Sequence, residues 1–220
     1  MTALQDLYAV YGASGCGRGV MPLLRTQLAQ QGIAADRIVF IDDAPGPQHI
    51  NGQRLLTYAD FLAAPAQTHY ATLAIANSHI REKLAQRCEQ DGVQPWTVQA
   101  ANAVQMDAVE LGEGAILSPF VTLTSNIRIG RHFHANLYSY VEHDCVVGDF
   151  VTFAPGAKCN GNVTIEDHAY IGAGAVIKQG QPGKPLVIGR GAVVGMGAVV
   201  TKSVPPGATV VGNPARPLQR

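Results

Sequence analysis

The chain has no excess charge of either sign: 16 basic residues balance 16 acidic ones across 220 positions. A nucleic-acid partner is therefore not expected, because backbone phosphates are usually met by a basic footprint. No apolar run approaches the ~20 residues of a membrane span, and residues 192–200 are short and broken by glycine. No signal-peptide pattern opens the sequence, which runs straight into a strand-like segment. The four cysteines, Cys16, Cys88, Cys145 and Cys159, show neither CxxC nor any paired spacing. A reducing, cytoplasmic setting fits this usage.

Glycine, by contrast, is plentiful at 24 residues, which suits frequent tight corners. Over residues 105–204 the sequence also keeps a six-residue rhythm. Its anchors are Leu111, Leu117, Leu123, Ile129, Ala135, Val141, Val147, Phe153, Cys159, Ile165, Ile171 and Ile177. Four positions beyond many anchors stands a small or β-branched residue, as at Ala115, Val121, Ile127, Val151, Ala157 and Ala169. The rhythm resumes at Ile188, Val194 and Val200. An α-helix cannot carry this period, because ~3.6 residues per turn would smear the anchors around its surface. Short strands with a corner every sixth residue can, so the repeat reads as a parallel β-helix. Between Ile177 and Ile188 the interval is eleven residues, so a five-residue insertion with Gly180, Pro182, Gly183 and Pro185 must bulge out. Cys145 and Cys159 fall on inward positions and read as buried small hydrophobes. The pattern resembles the left-handed β-helix of the hexapeptide-repeat acyltransferases. That resemblance implies coils of roughly 18 residues stacked ~4.8 Å apart.

The first hundred residues read differently. Residues 4–11 suggest a buried strand, 20–31 an amphipathic helix, 38–41 a second strand and 44–53 a loop. A short helix over 58–64, a third strand over 70–76 and a helix over 78–91 with Ser78 as candidate N-cap complete a small parallel α/β unit. Gly12, Gly15 and Gly17 follow the first strand as G-x-x-G-x-G, not as the dinucleotide G-x-G-x-x-G. Such a loop, with Ala13, Ser14 and Cys16, can cradle a phosphate at a helix N-terminus; the alternative is a bare packing turn. Asp42 and Asp43 end the second strand, where acids often accept hydrogen bonds from a ribose or base; a solvated turn is the bland alternative. With Ala76 and Asn77 at the third strand end, these residues outline one crevice at the carboxyl edge of the sheet.

The whole layout resembles sugar-nucleotide acetyltransferases related to sialic acid O-acetyltransferases and to the UDP-4-amino-sugar N-acetyltransferases of bacillosamine synthesis. The carriers are Tyr11 through Gly15, Asp42 and Asp43, Val141, Glu142, His143, Asp144 and Cys145, then Gly156, Lys158, Cys159, Gly161 and Asn162. The resemblance implies a Rossmann-like α/β domain over residues 1–98 that holds a UDP-amino-sugar. It implies a left-handed β-helix over 99–220 that binds acetyl-CoA, with active sites between subunits of a homotrimer. The family often has His where Cys16 stands, and some relatives have His where Thr152 stands.

Seven histidines are present. His132 and His134 form a His-x-His without a third ligand, so no metal is expected. His143 is flanked by Glu142 and Asp144 and pinned by Val141 and Cys145 at a corner of the ladder. Imidazole titrates near ~6.5 and suits removal of a proton from an attacking amine. A carboxylate on the far ring nitrogen would fix the tautomer. By resemblance that partner is Asp144, with Glu142 the second choice. Asn136 matches an Asn of the bacillosamine-type relatives and would orient the amine or base. Gly161, one coil above His143, would offer N–H groups to the thioester oxygen. CoA contacts fall, by resemblance, on Thr152, Ala173, Gly191, Lys202 and Arg216. The expected reaction is acetyl transfer from acetyl-CoA to the amine of a UDP-4-amino-4,6-dideoxy-hexose. The alternatives are a sugar O-acetyltransferase of the sialic acid type and a non-catalytic trimeric binding subunit.

Overall fold

The computed structural model describes residues 5–44 and 46–218. The chain forms two compact units, Met1–Gln99 and Ala100–Arg220. None of its described helices is long and apolar enough to cross a membrane.

The first unit is a Rossmann-like α/β layer. Strands β1 (Leu7–Tyr11), β2 (Ile38–Ile41), β3 (His49–Ile50), β4 (Gln53–Leu56), β5 (His69–Leu73) and β6 (Gln94–Pro95) form one sheet in the order β3-β4-β2-β1-β5-β6. All pairings are parallel except β3 with β4. The central strands β1 and β2 are wholly buried, as continuous apolar runs in a covered parallel sheet should be. Helices α1 (Gly15–Gln30), α2 (Tyr58–Ala63) and α3 (Ser78–Gln90) connect the strands.

Four local expectations change here. Residue 4 of the expected first strand lies outside the described residues, and β1 runs from Leu7. Helix α1 begins at Gly15, inside the glycine loop, because Gly12 at φ +102° turns the chain at once and Ser14 takes an extended N-cap. The expected loop over 44–53 instead contributes a hairpin, which Asn51 and Gly52 close at φ +50° and +77°. An Asn-Gly pair between two short strands is the standard signal for that two-residue turn. The N-cap of α3 is Asn77, not Ser78: its Oδ1 accepts from the N–H groups of His79 (3.0 Å) and Ile80 (3.1 Å). Asn places a side-chain carbonyl where those orphan donors need it.

The second unit is the left-handed parallel β-helix. Its strands are two or three residues long and form three sheets, one per face of the coil, parallel throughout except for the last pair, Thr209–Val211 with Arg216–Pro217. On one face Ile116 pairs with His134, His134 with Thr152 and Thr152 with Tyr170, a constant offset of eighteen residues. The anchors from Leu117 to Ile177 point inward and are at most 3% exposed, whereas Leu111, near the first coil, is only partly buried. Corners recur every six residues as left-handed residues: Asn126, His132, Tyr138, Asp144, Phe150, then Gly156 and Asn162. L-residues other than Asn, Asp and Gly take this conformation at a cost. Asn126, Asp144 and Asn162 stack in one corner column, eighteen residues apart.

The insertion bulges as the rhythm requires. Val163 pairs with Leu186, an offset of twenty-three, and Gln181 bridges Lys184 in the protruding loop. At another corner carboxylates staple coil to coil. Asp149 Oδ1 accepts from the Arg131 N–H (2.9 Å), and Asp167 Oδ1 from the Asp149 N–H (2.9 Å). Gly130 and Gly148 leave the room, since a Cβ at either would lie 2.2 Å from those oxygens.

Candidate active site

His143 and Asp144 meet at a corner of the β-helix. His143 Nδ1 lies 2.7 Å from Asp144 Oδ2, and both side chains are about half exposed. Neighbouring side chains on an extended strand point to opposite faces. Here Asp144 is left-handed, at φ +57°, and the reversal brings its carboxylate beside the ring. This geometry selects Asp144 over Glu142 as the partner, because Glu142 directly follows the strand end at Val141 and precedes the turn. The carboxylate only accepts, so Nδ1 carries the proton and Nε2 keeps a lone pair. The hydrogen bond to Asp144 raises the pKa of His143 above the ordinary imidazole value, with the Asp144 and Glu142 charges adding to it.

The imidazole lies against Gly161. A Cβ built there would stand 2.5 Å from His143 Cε1 and 2.6 Å from Nε2. The strand register explains the contact: Tyr140 pairs with Lys158, so His143 and Gly161 share a corner on adjacent coils. Asn162 N–H donates to the His143 carbonyl (3.0 Å), and Gly161 accepts from Gly180 N–H (2.9 Å). Behind the pair, Cys145 and Cys159 are at most 1% exposed.

Two open grooves adjoin this edge. One, of about 370 Å³, is lined by Asn126, Arg128, Asp144, Cys145 and Val146 among others. The other, of about 340 Å³, lies two coils further on and carries Lys178, Lys184 and Lys202 with Gln179 and Gly180. Gln179 is eighteen residues past Gly161, and Lys202 twenty-three past Gln179, so both continue the His143 column across the insertion. The other expected CoA residues do not join this edge. Ala173 and Gly191 occupy two different corners, Thr152 is buried within a face, and exposed Arg216 pairs with Val211 at the last strand. Only positions separated by whole coils share an edge, and these are not so separated from His143. Asn136 sits one corner before His143, and its amide nitrogen donates to the Phe153 carbonyl (2.8 Å).

In the α/β unit the sheet's carboxyl edge brings together the loop, the acids and the third strand end. Gly12 N–H donates to Ile41 O (2.8 Å) and Ala74 N–H to Tyr11 O (2.9 Å). A Cβ on Gly17 would stand 1.7 Å from Gly12 O, so only glycine lets α1 approach the loop. The Ser14 hydroxyl makes no capping hydrogen bond, Gly15 is open on its Cα side, and Cys16 is half-buried. Asp42 fastens the loop by accepting from the N–H groups of Ala13 (3.0 Å) and Ala44 (3.0 Å). Asp43 instead accepts from Tyr11 Oη (2.6 Å). Arg81 donates to Ile75 O (2.7 Å) and Ala76 O (3.4 Å), fixing the strand end. Burial pushes its pKa down to about 10, so it stays charged at neutral pH. Sequence reasoning missed Arg81, Arg87 and the role of Tyr11; their partners lie up to 76 residues away, and no local pattern marks them.

The fold and this edge define a class, the hexapeptide acyltransferases. The family described as "Bacterial transferase hexapeptide (six repeats)" matches residues 144–179, and "Hexapeptide repeat of succinyl-transferase" matches 162–202. A GDP-perosamine N-acetyltransferase of Escherichia coli O157:H7 is 53% identical over 98% of this chain and 97% of its own length. The solved structure of WeeI from Acinetobacter baumannii AYE is 61% identical, with a TM-score of 0.95 over 97% of this chain and all of that one. The acetyltransferase domain of PglB from Neisseria gonorrhoeae FA1090, in complex with acetyl coenzyme A, is 27% identical, with a TM-score of 0.84 over 98% of this chain and all of that one. The chain belongs to the hexapeptide-repeat sugar-nucleotide N-acetyltransferases. It is an acyltransferase that uses acetyl-CoA to acetylate the amine of a nucleotide-linked amino-sugar.

Proposed function

We propose that the acceptor is GDP-perosamine, a nucleotide-linked 4-amino-4,6-dideoxy sugar, and that His143 is the general base. The single observation that carries the acceptor is the 53% identity, over nearly the full length of both chains, to an enzyme named for that substrate. A UDP-linked 4-amino-4,6-dideoxy sugar, giving a product of the UDP-N,N'-diacetylbacillosamine type, is the second reading. The resemblance of the Glu142-His143-Asp144 segment and Asn136 to the bacillosamine-type enzymes favours it.

The proposed transfer is direct. The amine nitrogen attacks the thioester carbonyl, and the C–N bond forms as charge gathers on the oxygen. His143 Nε2 takes the proton that the nitrogen sheds, while Asp144 holds the ring and stabilises the imidazolium. Collapse breaks the C–S bond, and the leaving thiolate takes up that proton as free CoA. In this reading the Gly161 N–H receives the oxyanion. The lysine groove beside Lys202 suits the CoA phosphates, which need positive charge within a Debye length. Assembly as a homotrimer is supported by one exposed apolar corner that carries Phe120, Leu137, Tyr138 and Met196, each at least 43% exposed.

The test is CoA release by the purified chain with acetyl-CoA and, in turn, GDP-perosamine, a UDP-4-amino-4,6-dideoxy-hexose and sialic acid. Turnover is expected with the first. Release with the UDP sugar alone would move the acceptor to the second reading. Release with sialic acid alone would sink both. Sedimentation of the same preparation checks the trimer.

A further inference from the structure

Two buried thiols meet one backbone carbonyl behind the active edge. Cys145 Sγ lies 3.4 Å from Asn160 O, and Cys159 Sγ lies 3.6 Å from it. Cys145 Sγ also lies 3.6 Å from His143 O. Both side chains are at most 1% exposed, so the Asn160 carbonyl points into the coil. No backbone N–H among the described residues donates to it. A carbonyl turned inward gives up water and needs a donor. A thiol is a weak donor, but two of them meet this oxygen. The pair therefore does more than fill the core.

The side chain of Asn160 is fixed as well. Its Oδ1 accepts from Tyr140 Oη (2.9 Å), and its Nδ2 donates to Ile177 O (2.9 Å). Tyr140 pairs with Lys158 and Cys159 with Ile177, so this brace crosses three successive coils. The Asn160 N–H donates to the same Ile177 oxygen (3.3 Å). The peptide group between Asn160 and Gly161 is thus gripped from inside by the thiols and from outside by the amide.

That grip sets a direction. The peptide is trans, the cis bond of the described chain being Asn213–Pro214. In a planar trans peptide the C=O and the following N–H point opposite ways. With the carbonyl turned inward, the Gly161 N–H turns outward, on the residue that the His143 ring covers. It donates to no acceptor among the described residues, and so is free for one on the substrate. A donor for an oxyanion works best when it is aimed before charge develops. We propose that Cys145, Cys159 and Asn160 are positioning residues that aim the Gly161 N–H at the thioester oxygen, with Tyr140 bracing Asn160. This rests on the proposed transfer, in which that N–H receives the oxyanion.

The test reads aiming apart from folding and needs no acceptor sugar. Calorimetry on the full chain compares CoA with trifluoroacetonyl-CoA, whose ketone hydrates to a tetrahedral centre like the one the transfer passes through. Wild type is expected to prefer the hydrated ketone. Cys159→Ala is the cleaner single variant, because Cys145 also touches His143 O. In Cys159→Ala, and more so in the double Cys145→Ala/Cys159→Ala, the preference falls by about 5-fold, the size of one ordinary hydrogen bond, while CoA affinity stays. Cys159→Ser keeps a donor and recovers most of the loss, and Tyr140→Phe lowers the preference in part. In turnover, kcat falls by a similar factor, while the KM for acetyl-CoA and the acidic limb of kcat/KM hold, because the His143–Asp144 bond is untouched. Thermal melting checks folding, and Tyr140→Phe carries the test if the alanine variants do not fold. A wild-type preference in the folded variants would overturn the assignment. So would an equal loss in Cys159→Ser, a shifted acidic limb, or no preference in wild type. Failure to acetylate GDP-perosamine would instead strike the proposed acceptor and leave the ketone preference to be read separately.

Discussion

Gly161→Ala is the sharpest probe of the active edge. The position has no left-handed backbone requirement, so alanine fits the coil itself. Its Cβ, however, would stand 2.5 Å from His143 Cε1 and 2.6 Å from Nε2. Ordinary contact begins near 3.4 Å, so the ring must retreat by about 1 Å. His143 is half exposed, and so it swings toward solvent without disturbing the core. The swing stretches the 2.7 Å bond to Asp144 and carries Nε2 off the reacting amine. A misplacement of about 1 Å can cost ~10²-fold in rate. The assay is release of free CoA thiol under saturating acetyl-CoA and acceptor, with thermal melting alongside. kcat is expected to fall about 100-fold with little change in melting temperature. Folded Gly161→Ala at wild-type kcat, with His143→Ala down by the ~10²–10⁴-fold of a lost general base, would refute the claim that this glycine sets the ring. His143→Ala at wild-type kcat would refute the base itself.

Three further outcomes follow from the same contacts. Asp144→Asn keeps a residue that tolerates the left-handed corner but removes the carboxylate that raises the His143 pKa. A base works only when deprotonated, so the acidic limb of the kcat/KM profile should move to lower pH, toward the ordinary imidazole value near ~6.5, while kcat falls. The same raised pKa makes protonation of His143 favour the folded chain. That contribution is complete below the ordinary value and disappears as pH rises through the raised one. Lys202→Ala should raise the KM for acetyl-CoA more at low salt than at high salt and spare kcat, which steady-state kinetics at two ionic strengths will show. Asp149→Ala removes the coil-to-coil staple on the Arg131 N–H and should lower stability by about 1 kcal/mol, a melting shift of roughly 2–4 °C. Calorimetric melting checks it.

The six-residue spacing of Leu117, Leu123 and Ile129 was enough to determine the β-helix, because no other regular structure buries every sixth residue. The eleven-residue gap before Ile188 was likewise enough to place the bulge. Counting in coils of eighteen set Gly161 above His143. The identity of the histidine's partner was different. Glu142 and Asp144 are equivalent neighbours in sequence, and only the left-handed turn at Asp144 decides which carboxylate meets the ring. In the α/β unit the glycines and the two acids were legible as a group, since each has a local signature. Their division of labour was not. Tyr11, Asp43 and Arg87 come from three elements, and a hydrogen bond across 32 or 76 residues leaves no periodic trace. Ala173 and Gly191 carry the opposite lesson: the resemblance offered both, and the phase of the coil puts them on corners of this chain other than that of His143. Periodicity in a chain determines how its backbone stacks, and the tertiary structure decides which side chains meet.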